Sequence, residues 1–119
     1  MKNLFLFLGS VSAFFSVALG ALGSHALKGR LSEYSLSVWQ VGVQYQFYHA
    51  LALCLVGLYC HKNKRCLAAS GWLFFVGARL FSGSLYLLAF EGPRWLGPIT
   101  PIGGTCFLLG WLLLAVHAF

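Results

Sequence analysis

Long stretches of this chain carry no formal charge, and that limits its possible folds more than any other feature. The segments between Lys2 and Lys28, Glu33 and Lys62, Arg65 and Arg79, Arg79 and Glu91, and Arg94 and Phe119 are uninterrupted, and Leu, Phe, Val, Ala and Gly dominate them. A hydrocarbon core is about 30 Å thick and takes about 20 apolar residues per helical crossing. Four stretches meet that demand, with Arg79 as the one charge inside them. A chain that is 60% hydrophobic and 8% charged is solvated mostly by lipid. The expected fold is all-α: a four-transmembrane-helix bundle with antiparallel neighbours, filling residues 1–119 as a single integral membrane domain.

The net charge of +6 would point to nucleic acid in a soluble protein. Here it reads as anchors at helix ends, where Lys and Arg meet the headgroups and set orientation; no nucleic-acid partner is expected. The amino terminus has the look of a secretion signal, with Lys2 before an apolar run and Ala18-Leu19-Gly20 at plausible cleavage positions. The run is longer than a signal core and no soluble composition follows it, so a retained first helix is expected.

Helix 1 is expected over about residues 4–24. Ser12, Ser16, Gly20 and Ser24 recur every fourth residue in it, and small side chains let helices approach closely in lipid. This stripe is the expected packing face, towards another helix or a second copy. Ser32 is placed to cap helix 2, with Glu33 in its first turn. Helix 2 is expected over 33–60, roughly 42 Å long, so its start, with Tyr34, Trp39, Gln40 and Gln44, extends into the interface. Helix 3 is expected over 67–90. Helix 4 is expected over 101–118, with Thr100 as N-cap and Pro101 at the first helical position.

An even number of crossings puts both ends on one side. Lys2, Lys62, Lys64 and Arg65 lie on the terminal side, and Lys28, Arg30 and Arg94 lie opposite, diluted by Glu33 and Glu91. The positive-inside rule then places both termini in the cytoplasm, in the inner membrane.

Arg79 is the most costly residue, roughly 18 Å along helix 3 and close to mid-membrane. His49 lies at nearly the same depth on helix 2, and as a neutral imidazole it can accept a hydrogen bond from the guanidinium. Ser82 and Tyr86 share the face of Arg79, while His25 and Thr100 close the outer ends of helices 1 and 4. Two readings stay open. In one, His25, His49, Arg79, Ser82, Tyr86 and Thr100 line a polar pocket for an anion, a headgroup or a proton. In the other, the same groups hydrogen-bond between helices, the common fate of polar residues in membranes.

No paired carboxylate, nucleophile beside a base or phosphate-binding loop is present, and no enzyme is expected. Gln40, Gln44 and Gln46 with Tyr45 and Tyr48 suggest at most a substrate path. Cys60, His61 and Cys66 form an incomplete metal set, Cys54 and Cys106 behave as small hydrophobes, and His25 and His49 are too far apart in depth to share a haem. No cofactor or metal is expected. The expected partners are membrane lipids and a further copy or membrane protein. The runner-up role is a small transporter or channel component using the region of His49 and Arg79.

Four motifs carry a family resemblance. Residues 20–27 (Gly-Ala-Leu-Gly-Ser-His-Ala-Leu), 45–53 (Tyr-Gln-Phe-Tyr-His-Ala-Leu-Ala-Leu), 80–86 (Leu-Phe-Ser-Gly-Ser-Leu-Tyr) and 100–104 (Thr-Pro-Ile-Gly-Gly), with Gly110-Trp111 beyond, resemble the helix signatures of the YgdD/YwdK-like family. These are small bacterial inner-membrane proteins of unknown function with a eukaryotic transmembrane counterpart. The resemblance runs in register through all four helices. It implies a four-helix multi-pass protein and brings no reaction, cofactor or ligand. Arg79 departs from the family pattern, which is usually apolar there, and this shifts attention to His25, His49, Ser82 and Tyr86.

Overall fold

The structure is a computed structural model describing residues 3–63 and 67–119, with the side chains of residues 61–63 outside the description. Four long helices follow in order: α1, Leu4–Leu22, prolonged by a π-helical turn at Gly23–Leu27; α2, Glu33–Asn63; α3, Ala68–Ala89; and α4, Ile99–Ala118, preceded by a short 3₁₀ turn at Arg94–Leu96. Each is long and apolar enough to cross a membrane. They form an all-α bundle in which α1 packs on α2, α2 on α3 and α3 on α4, antiparallel at each step. The two central helices therefore carry most of the buried surface. α2, at 31 residues and about 46 Å, accounts for the 48 Å length of the molecule.

Local chemistry sets the helix ends. The Asn3 side chain accepts from Leu6 N–H and gives its own N–H to the Gly57 carbonyl, so one residue caps α1 and ties it to α2. Ser32 Oγ accepts from Ser35 N–H at 3.0 Å, capping α2 as its position suggests. The turn between α1 and α2 passes through Gly29 at φ 90°, a left-handed conformation open to glycine at little cost. α3 closes with Gly92 N–H on the Leu87 carbonyl and Glu91 N–H on Leu88, and Glu91 takes φ 60° at that stop. α4 departs from the expected start. It opens at Ile99 with Pro98 as N-cap, so Thr100 and Pro101 lie inside the first turn. A proline is tolerated there because the N–H it lacks would have no partner in the helix.

Close approach at glycine holds the layers together. A Cβ on Gly9 would lie 2.6 Å from the Ala50 carbonyl oxygen, and one on Gly57 2.6 Å from Leu6 N; α1 and α2 thus touch through backbone at both places. Around them, Phe5, Ala52, Leu53, Val56, Phe74, Ala78 and Phe107 form the main apolar cluster. A second cluster, of Leu27, Trp39 and Ala89, closes the other end.

The stripe on α1 is only partly the packing face. Ser12 and Ser16 are buried, Gly20 is half-buried against Val43, and Ser24 is exposed. A four-residue step overshoots a 3.6-residue turn by about 40°, so a strict stripe has rotated about 120° between Ser12 and Ser24. The buried positions instead run Phe5, Gly9, Ser12, Ser16, Gly23, Leu27. The partner on this face is α2 of the same chain, so Ser12 and Ser16 are not available to a second copy.

Candidate functional site

The six residues expected to line one polar pocket are spread over several environments. His25 is exposed at the end of α1, because the π-turn brings Gly23 and Leu27 inward instead. Ser82 is buried and donates to the Gly42 carbonyl at 2.7 Å. Thr100 bonds the Ser84 hydroxyl, joining the start of α4 to α3. The remaining three divide between two sites, described in turn.

His49 sits on the α4 side of α2 and is 4% exposed. One ring nitrogen, Nε2, accepts the indole N–H of Trp111 at 3.0 Å. The other, Nδ1, lies 2.8 Å from the Tyr45 carbonyl and must therefore be the protonated nitrogen that donates to it. The imidazole lies flat on Phe107, with centroids 3.5 Å apart, and Phe74 borders it. This is a neutral, fully bonded imidazole among aromatic rings. A second ring proton would point at the Trp111 N–H. The hydrogen bond expected between His49 and Arg79 is absent, because the two residues lie on different sides of α3.

Arg79 is exposed on the lipid-facing side, with its guanidinium carbon 4.9 Å from the centre of the Phe75 ring. It borders a groove of about 330 Å³ lined by Phe15 and Leu19 of α1, Gln46 of α2, and Ala78, Gly83 and Tyr86 of α3. Tyr86 O–H donates to Gln46 Oε1 at 2.6 Å, and Gln46 Nε2 donates to the Ser12 carbonyl at 3.0 Å. A polar relay thus runs from α3 through α2 to α1 beneath the groove. Of the six expected residues, Arg79 and Tyr86 line this groove together.

Sequence reasoning undervalued two residues. Gln46, grouped with Gln40, Gln44, Tyr45 and Tyr48 as at most a substrate path, is 5% exposed and bonds both α1 and α3, whereas Gln40 and Gln44 are exposed. Trp39, expected at the interface, is 5% exposed and gives its N–H to the Leu19 carbonyl against Gly23. A signal existed in both cases: Gln46 falls about one turn after Gly42 and Trp39 about one turn before it, on the side of α2 that meets Tyr86 of α3.

Among the described residues, no buried side-chain nitrogen or oxygen lacks a hydrogen-bond partner, and no three His, Cys, Asp or Glu residues gather as a metal set. The incomplete set of Cys60, His61 and Cys66 lies partly outside the described residues.

Four apolar helices stitched together through backbone carbonyls define a multi-pass α-helical membrane protein. Comparison with known proteins makes the family explicit: residues 19–104 match the family model described as protein of unknown function (DUF423), and the chain belongs to that family. It is 46% identical to a UPF0382 membrane protein of Haemophilus influenzae over 100% of this chain and 96% of that one. It is also 46% identical to a UPF0382 membrane protein of Staphylococcus haemolyticus, over 98% of this chain and 96% of the relative. The UPF0382 membrane protein YwdK of Bacillus subtilis is 43% identical with the same coverage, in keeping with the resemblance of the motifs. No solved structure matches the chain.

Proposed function

We propose that this protein is a non-enzymatic component of the cytoplasmic membrane, with both termini on the cytoplasmic side, and that it works through its lipid-facing surface on lipids or a membrane partner. The observation carrying this reading is the use made of the buried and half-buried polar groups. Gln46, His49, Ser70, Ser82 and Tyr86 each bond a neighbouring helix. Side chains held this way tie helix to helix, the common use of polar groups in a membrane bundle. The orientation rests on Lys2, Lys62, Lys64 and Arg65 at the terminal side. Because α2 covers Ser12 and Ser16, any association between copies would use another part of the surface.

A transport route through His49 and Arg79 needs both residues on one wetted path. His49 is stacked and buried while Arg79 opens outward, so the geometry lends that role no support. Purified protein in sealed vesicles should show no anion or proton flux above protein-free vesicles. Steady conductance that depends on His49 would overturn the reading. Impermeant thiol reagents applied to single-cysteine variants at Phe119, just past the end of α4, and at Arg94, between α3 and α4, report orientation independently.

A further inference from the structure

The sequence supplies one cation within the four spans and nothing to neutralise it. Arg79 is about 17 Å along α3 from Ala68 and about 15 Å from Ala89, the depth of the bilayer centre. The chain's two acidic side chains, Glu33 and Glu91, stand at helix ends. The guanidinium stacks on Phe75, one turn back along α3, which shifts it by only about 5 Å and leaves it well inside the hydrocarbon. An arginine at that depth requires an anion, water or a polar lining. A second copy does not answer the need, since its spans would bring another Arg79 and no carboxylate.

The groove beside Arg79 is built like a ligand site. At about 330 Å³ it falls at the lower end of the range for small-molecule pockets. Its walls, Phe15, Leu19 and Ala78, are apolar, and its floor holds Tyr86 and Gln46, whose amide has a second hydrogen beyond the one given to Ser12. Gly83 leaves the middle open: a Cβ there would meet nothing within 4 Å.

From this placement we infer that the groove between α1 and α3 binds a long-chain carboxylic acid, with its carboxylate on Arg79 and its tail along Phe15 and Leu19. A planar carboxylate matches the guanidinium fork. A single-chain acid enters hydrocarbon as its neutral form and reaches this depth, whereas a phospholipid phosphate stays with the headgroup layer, on the order of 10 Å further out. The inference deepens the proposed function by naming the lipid class, and it rests on that reading.

The test uses the full-length protein in phosphatidylcholine vesicles with a photoactivatable diazirine analogue of palmitic acid. Crosslinking to the α1 and α3 segments lining the groove should exceed that of the matching fatty alcohol by about tenfold, the worth of a charge-assisted pair. Arg79→Leu should remove this preference. Gly83→Leu, whose Cβ would meet nothing within 4 Å, fills the groove from α3 and should block labelling while leaving helicity and monodispersity unchanged. Equal labelling by the alcohol, full labelling of either variant, or equally effective competition by phosphatidylglycerol would overturn the inference. These outcomes are independent of the flux assay: vesicles that conduct would refute the proposed function, whereas loss of acid selectivity alone would refute the ligand.

Discussion

Alanine at Gly103 is expected to destabilise the protein by about 2 kcal/mol or more, while alanine at the adjacent Gly104 is expected to be neutral or to stabilise it by up to about 1 kcal/mol. The two glycines stand side by side in α4 but face different surroundings. A Cβ on Gly103 would strike the backbone nitrogen of Phe81, lie 2.8 Å from its Cβ and come 2.9 Å from the Gly77 carbonyl oxygen. None of these atoms sits at the end of a flexible side chain, so relief requires α4 to move away from α3. That motion would stretch the Ser70–Gly110 and Ser84–Thr100 bonds and lift Phe107 from Gly77. In lipid the loss is not recovered by a hydrophobic term, because acyl chains are as apolar as the helix surfaces. A Cβ on Gly104 would rest 3.8 Å from Phe81, ordinary contact, and alanine there gains helix propensity alone. Titrating folded protein from mild detergent into SDS measures both. Equal stability of the two variants would mean that α3 and α4 do not meet at Gly103.

The contrast between these glycines shows where sequence stops being informative. Composition and spacing sufficed for four crossings and their approximate ends, since lipid forces every backbone group into helix and length follows from bilayer thickness. Ser32 as a cap was equally legible, because capping is local. The start of α4 was less so: Thr100 and Pro101 fit a cap, yet Pro98 and Ile99 begin the helix a little earlier. Facing was the hard part. A stripe spaced by four cannot be told from the true contact face until the drift of about 40° per step is set against an observed partner. The polar residues show the same limit. Depth along a helix placed His49 and Arg79 at one level, but rotation about α3 separates them, and rotation depends on which helices are neighbours. Gln46 was hidden for a related reason, since a glutamine among other glutamines and tyrosines suggests at most a substrate path until Ser12 and Tyr86 are seen to close around it.

His49→Leu is expected to lower stability by about 2 kcal/mol, a change of similar bulk whose cost arises in the partners left behind. Trp111 would keep an indole N–H with no acceptor, in a medium that offers none, and such an unmade bond costs about 1–3 kcal/mol. The flat contact with Phe107 would also be lost. Trp111→Phe should be destabilising for the mirror-image reason, leaving Nε2 of His49 without its donor. Once either partner is gone the other has little left to lose. The double variant His49→Leu/Trp111→Phe should therefore fall short of the sum by about 1 kcal/mol, within the range found for hydrogen bonds between membrane helices. Strict additivity in the SDS titration would deny the bond. A His49→Leu protein as stable as the unaltered chain, but changed in its response to ions or lipids, would make the imidazole a binding group after all.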